Sequence, residues 1–350
     1  MDPTVPGAST PDNPSDQGSG RVGTIAVSTD PARTDQAVAM PTAMNQEPRI
    51  TGAVLDHVAH AVRRWQDVWH RYATDLGAEW NSGGPGPGFA PGQLRFANGS
   101  KVEVLMPHDI EVNDFLARFL DGHGPGPHHL TFKVPDLHEA IGQARSFGIE
   151  PIGIDFSHPE WLEAFLHPKA ATGIVVQIAH EPSAWSSPAP DDYPTGRRQK
   201  ADGSGPATPA AFVHVAHVVA DLDGALALFG GLLGGRIVRE GASGTLRSVD
   251  LAWPGPLGVR LIGSTAPVAG GAVDQWLGGL PGRVHHLTLE VDGPEGVPGT
   301  RPATSELSLI GTAPEGPVWE IDRADNAGLG LVLVPATPGT TGAIPGGPVA

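Results

Sequence analysis

The sequence predicts an α+β protein of four tandem βαβββ modules, arranged as two domains with curled mixed sheets and flanking helices. Two observations carry that prediction. His57, His60, Glu103, His128 and His129 each lie 157 positions before His214, His217, Arg260, His285 and His286. A period this long marks a duplicated domain rather than a solenoid. Within each half, a strand is followed by a helix and then by several short strands, twice over.

The elements of the first half follow in order. Leu55 to Val62 reads as a strand, and Arg64 to Leu76 as a helix, because Trp65, Val68, Trp69, Tyr72 and Leu76 recur at helical spacing. Gly77 ends that helix. A Gly/Pro loop from Ser82 to Pro91 leads to strands near Gln93 to Ala97 and Lys101 to Met106. A short helix around Asn113 to Leu120 precedes the strand His129 to Val134. Asp136, with Glu139 three residues on, forms a capping box for the next helix, which Gly148 closes. Strands near Ile152, from Trp161 to His167 and from Gly173 to Ala179 complete the half. The second half repeats this order.

Composition sets the boundaries. Residues 1–50 are polar, rich in Pro and Gly, and aperiodic, which predicts a disordered N-terminal tail. A metal-binding domain spans 51–181, a low-complexity linker 182–210, a degenerate second domain 211–335 and a tail 336–350. The net charge of −16 argues against nucleic acid or an anionic membrane as partner. Without cysteine there is no disulfide, thiolate site or cysteine nucleophile. The N-terminus has no signal-peptide core and no apolar run is long enough to span a bilayer, so the expected location is cytoplasmic.

Strand alternation then selects the candidate site. His57, Ala59 and Ala61 share one face, and Val58, His60 and Val62 the other. Glu103 shares a face with Leu105, His129 with Thr131 and Lys133, and Gln177 with Val175 and Ala179. Four polar residues thus stand on four strands, each on the less apolar face. Curling the sheet brings His57, Glu103, His129 and Gln177 together as two imidazoles, a carboxylate and an amide oxygen. Such a set suits a divalent first-row metal (Zn, Ni, Co, Mn or Fe) with positions left for substrate. The bland alternative is a hydrogen-bonded strand histidine. It fits His60, which faces the helix side, and His128, expected to point away from the cavity. It fits His57 and His129 less well, since both recur in the second half at the same separation of 72 residues. In that half Arg260 replaces Glu103 and Val332 replaces Gln177, so a cation stands where a metal would and one ligand is missing.

These segments resemble the vicinal oxygen chelate superfamily, which includes glyoxalase I, methylmalonyl-CoA epimerase, extradiol dioxygenases and bleomycin-resistance proteins. Leu55-Asp-His-Val-Ala-His-Ala-Val62 with Asp75-Leu-Gly77 is similar to the family's opening strand and helix. Gly124-Pro-Gly-Pro-His-His-Leu-Thr-Phe-Lys-Val134 is similar to its central strand, and Phe165-Leu-His-Pro-Lys169 through Gly173-Ile-Val-Val-Gln177 to its close. The resemblance covers both halves and implies two glyoxalase-like domains, with metal ligands at His57, Glu103, His129 and Gln177. The pattern departs from epimerases, which place Gln at the position of Glu103 and Glu at that of Gln177. The epimerase base belongs to the segment matching Asn81 to Arg95, which here has no acid.

The expected activity is therefore a metal-dependent isomerase or lyase. Its small substrate is chelated through two oxygens and reacts through an enolate or enediolate, with Glu103 as catalytic base in the glyoxalase manner. Lys133, His167 and Lys169 are candidate substrate-binding residues; the plain alternatives are a solvated lysine and a turn. Two other readings stay open: a two-domain non-heme iron dioxygenase using His57, His129 and Glu103, and a non-catalytic ligand-sequestering protein. The partner expected is a small molecule, with the domains pairing inside one chain or between chains of a homodimer.

Overall fold

The computed structural model describes residues 49–336, apart from 185, 197, 201, 206–207, 267–268 and 312–315. The two expected tails therefore lie almost wholly outside the described residues. Two eight-stranded mixed sheets account for both halves. The first holds β1 (Val54–Ala61), β2 (Glu79–Gly83), β3 (Gly88–Arg95), β4 (Lys101–His108), β5 (Gly126–Lys133), β6 (Ile152–Asp155), β7 (Leu162–Leu166) and β8 (Val175–His180). Its spatial order is β2-β3-β4-β1-β5-β8-β7-β6, so two βαβββ modules meet where β1 runs antiparallel to β5. The second holds β9 (Ala211–Val219), β10 (Arg236–Ser243), β11 (Leu246–Ala252), β12 (Gly258–Ser264), β13 (Gly282–Val291), β14 (Arg301–Pro302), β15 (Trp319–Ile321) and β16 (Gly330–Pro335) in the matching order.

Helix α1 (Gln66–Trp69) continues as a π-helical stretch, His70–Asp75, and buries Trp65, Val68, Trp69, Tyr72 and Leu76, the stripe that the spacing predicts. Helix α2 (Phe115–His123) lies over the sheet face bearing Ala59, Ala61 and Leu105. Helix α3 (Leu137–Phe147) starts at Asp136, whose carboxylate accepts from the Glu139 N–H, and ends at Gly148 in the left-handed conformation. The second half has α4 (Leu222–Leu226), α5 (Ala272–Leu277) and α6 (Glu306–Leu309).

Two expectations are corrected. The Gly/Pro loop expected from Ser82 to Pro91 is mostly strand, because the turn needs only the residues between β2 and β3. Pro91 falls just beyond the paired part of β2, which ends at Gly83 opposite Gly92, so its missing N–H breaks no ladder there. The fourth module does not repeat the helix of the pattern: Pro294–Gly296 forms a single 3-10 turn where α3 stands in the first half. A Gly/Pro-rich segment supplies too few helix formers for more.

One apolar core runs through both halves. Phe132 packs on Trp253 and Phe229, and Phe96 on Phe212. The His57-Val-Ala-His60 repeat explains itself here. His60 turns from the site toward this core, where its Nδ1 pairs with the Tyr72 hydroxyl at 2.9 Å and its Nε2 donates to the Ala327 carbonyl at 2.9 Å. His217 does the reciprocal thing, donating from Nε2 to the Thr172 carbonyl at 2.8 Å. Thr172 and Ala327 both hold positive φ, 53° and 44°, in the loops that lead to β8 and β16. Each half thus inserts one histidine onto a left-handed turn of the other. The described linker residues are also tied down: Ser187 exchanges hydrogen bonds with Gly83, and Tyr193 packs on Trp69 and Trp80.

Candidate metal centre

The four candidate ligands stand on the four central strands: Glu103 on β4, His57 on β1, His129 on β5 and Gln177 on β8. Pairing sets their heights. Ala59 lies opposite both Glu103 and His129, His57 opposite Thr131, and Thr131 opposite Gln177. One nitrogen each of His57 and His129 and one oxygen of Glu103 lie within 4.8 Å of one another, and all three residues are buried. Glu103 Oε2 is 3.6 Å from His57 Nε2 and 3.7 Å from His129 Nε2. His129 Nε2 has no hydrogen-bond partner although it is buried. An unpartnered buried nitrogen beside a buried carboxylate is costly unless something fills the gap, and a divalent cation matches the donor set. Gln177 joins this group through Thr131, whose hydroxyl donates to Gln177 Oε1 at 2.5 Å and lies 2.9 Å from His57 Nε2.

Two β-bulges complete the arrangement. In each, an extra residue throws its side chain to the side of its neighbour and breaks the two-residue alternation. The bulge between Leu55 and His57 sets Asp56 beside His57, with Asp56 Oδ2 2.7 Å from His57 Nδ1. Lys101 and Lys133 flank the same carboxylate at 2.7 and 3.1 Å. The bulge opposite Ala59 and His60 does the same for His128. It was expected to point away, yet its Nδ1 meets His129 Nδ1 at 2.8 Å, and its ring packs on Phe119 of α2.

The charges are strongly coupled. Burial alone would raise the Glu103 carboxyl, but His57, His129 and a hydrogen bond from Gln93 outweigh it and bring the pKa to about 2. Burial opposes protonation of His57, yet Glu103 and Asp56 hold its pKa above the ordinary value. His129 is pushed well below the ordinary value, first by burial and then by His128. It is therefore a neutral imidazole at pH 7, the form that ligates metals.

Sequence reasoning missed three supporting groups. Asp56 escaped because alternation places it on the far face. Its only signal is that the second half has Val213 at that position. Glu163 on β7 accepts from Gln177 Nε2 at 2.6 Å and from Trp161 Nε1 at 2.9 Å, which turns the Gln177 oxygen toward Thr131. Gln93 donates to Glu103 Oε1 at 3.3 Å. Its counterpart 157 residues on is Asp250, so the Gln93–Glu103 pair became Asp250–Arg260.

The candidate substrate residues fall in two places. Lys133 is engaged with Asp56 and Glu181 and lies over the Trp161 ring. His167 and Lys169 are exposed in the β7–β8 connection, where the Lys169 N–H donates to His167 Nδ1 at 3.2 Å, a turn contact.

In the second half, Arg260 makes a two-pronged pair with Asp250 at 2.7 and 2.9 Å, both side chains buried. Val332 sits at the register of Gln177, opposite Thr288. Leu307 of α6 and Ile310 pack with Ala216, Val218 and Ile262 on the corresponding face.

Fold and site together define a duplicated α+β protein with a His–Glu–His centre in its first half and a guanidinium at the matching place in the second. The sequence of residues 56–162, within the first half, matches the Glyoxalase/Bleomycin resistance protein/Dioxygenase superfamily. No curated protein matches the chain. Among solved structures, a triple mutant of 4-hydroxymandelate synthase from Streptomyces coelicolor is 14% identical. That match covers 82% of this chain and 92% of that one, with a TM-score of 0.52, a likeness of fold across both halves. Methylmalonyl-CoA epimerase from Mycobacterium tuberculosis is 25% identical over 39% of this chain and 91% of its own, with a TM-score of 0.35. A hypothetical protein from Bacillus halodurans is 24% identical over 39% of this chain and 99% of its own, also with a TM-score of 0.35.

Proposed function

We propose that this chain is a metal-dependent isomerase or lyase of the glyoxalase and epimerase type, acting on a small substrate that offers two adjacent oxygens. The supporting observation is the buried trio His57, Glu103 and His129, with its unpartnered His129 Nε2. These three residues and the Gln177 oxygen would hold the metal. A divalent cation there supplies a Lewis acid for negative charge developing on substrate oxygen. With only one carboxylate among four ligands, that charge is little neutralised, which favours an enolate or enediolate.

The residues have separate tasks. Asp56 orients His57 through its Nδ1, and Glu163 orients Gln177 through its amide nitrogen. Glu103 takes the proton from the carbon between the two substrate oxygens and returns it to that carbon or its neighbour, while the electron pair rests on the carbonyl oxygen. The apolar cover of Phe89, Phe115 and Phe119 limits water at that face. A second reading is an iron-dependent dioxygenase, since two histidines and one carboxylate are the ligand set that such chemistry uses.

Elemental analysis of the full chain, with oxygen uptake followed during turnover, separates the readings. We expect one divalent metal per chain, lost together with activity in Glu103→Ala, and no oxygen consumed. Iron with stoichiometric oxygen uptake selects the dioxygenase, and full metal retention in Glu103→Ala removes Glu103 from the ligand set. A wild-type chain that takes up no metal points instead to ligand sequestration.

A further inference from the structure

The second half has lost the chemistry of a metal centre but keeps a cavity of about 160 Å3 beside His286. That is smaller than a drug-sized pocket, roughly 300–1,000 Å3. His286 lines the cavity and is 2% exposed, its Nδ1 meets His285 Nδ1 at 2.7 Å, and its buried Nε2 has no hydrogen-bond partner. A buried, unsatisfied nitrogen at a cavity wall is the mark of a missing ligand atom.

The charges around this cavity are unbalanced. Arg301 spans Glu320 and Asp322 at 3.1 and 2.7 Å, and Ser308 adds a hydrogen bond to Glu320, so both acids are already engaged. Arg283 and Arg323 are not. Their guanidinium carbons lie 4.7 and 5.3 Å from the centre of the Trp276 ring. Among the described residues neither has an acid within ion-pair distance. Two cations share one aromatic ring without an acid in contact, Asp322 feeling the Arg323 charge only at longer range, in a chain whose net charge is −16. Burial first, and then the Arg323 charge, lowers the basicity of Arg283 and of His285. An anion beside them would offset that charge. Ile321, Leu331, Val332 and the Trp276 ring give the cavity an apolar wall, beside Ser305 and Gly330. Inorganic phosphate gains nothing from such walls, whereas the hydrocarbon part of an organic acid does.

We propose that the second half carries a binding site for a small organic carboxylate, with Arg323 and His286 Nε2 receiving the carboxylate and Trp276, Ile321 and Val332 the carbon skeleton. This site is separate from the metal centre and does not rest on the activity assigned above.

The test is calorimetric titration of the full chain with propionate, succinate, benzoate and inorganic phosphate, each alone. At least one carboxylate should bind saturably at one site per chain. Arg323→Gln and His286→Phe should each weaken it tenfold or more, Arg323→Lys should retain part of the affinity, and Glu103→Ala should leave it unchanged. Circular dichroism establishes that each variant is folded; if His286→Phe is not, the two Arg323 variants decide. Binding of none of the four probes, binding of phosphate alone, equal binding by Arg323→Gln, or loss of binding in Glu103→Ala would overturn the proposal.

Discussion

The consequential residue outside the ligand set is Asp56. Its carboxyl would be raised by burial, but His57, Lys101 and Lys133 drive it far below the usual carboxylate range, so it is ionised at any working pH. It fixes which nitrogen of His57 faces the site. Outer groups of this kind are worth about 10–100-fold in metal affinity. Asp56→Asn should therefore lower metal affinity by about that factor in a competition with a chelator while leaving the fold intact; unchanged affinity would show that strand packing alone orients the imidazole. At this scale the convergence of the candidate residues was legible in the sequence and their supports were not. His57, Glu103, His129 and Gln177 follow from alternation on four strands. Asp56 and His128 do not, because each sits in a bulge, and a bulge is a break in the very periodicity from which faces are read.

At the scale of elements, the paired strands β3 and β4 in one half and β11 and β12 in the other carry the same cross-strand contact with different charges. Gln93 meets Glu103, and Asp250 meets Arg260. Sequence comparison between the halves shows Arg260 as a cation in the place of Glu103. Only the register shows that it arrived with its own counter-ion. Arg260→Ala would leave Asp250 buried and unpaired, which costs about 3–5 kcal/mol. Urea unfolding should show a loss of that size, with the metal content of the first half unchanged. Replacing both residues at once, Asp250→Leu with Arg260→Met, should recover most of the loss. A double variant no more stable than Arg260→Ala would mean that the pair is not what the position needs. The helix stripe of Trp65, Val68, Trp69, Tyr72 and Leu76 was legible from spacing. Its π-helical second half was not, since the stripe reads much the same for either winding.

For the whole molecule, the His60 and His217 contacts predict acid sensitivity. Burial lowers both imidazoles to about 4 from the ordinary 6.5. The unfolded chain therefore binds protons that the folded chain refuses between those limits. Stability is complete above pH 6.5 and falls as the pH drops toward 4, by roughly 3 kcal/mol per histidine. Urea midpoints measured from pH 7 to 4.5 should decline, and His60→Gln, although less stable at pH 7, should decline less steeply. An equal slope in the variant would exclude His60 as a source. The domain order was readable from the 157-residue period. The reciprocal contacts were not, because His60 and His217 look alike on the strand and their acceptors are backbone atoms with no side-chain signature.

Those contacts have a further consequence. Each half owns both a plug, its second histidine, and a socket, the carbonyl of its left-handed turn. A surface bearing both is self-complementary, the property that lets identical subunits assemble about a two-fold axis. Two such subunits joined end to end would come with their mate attached, leaving one half free to give up its carboxylate for a guanidinium while still bracing the other.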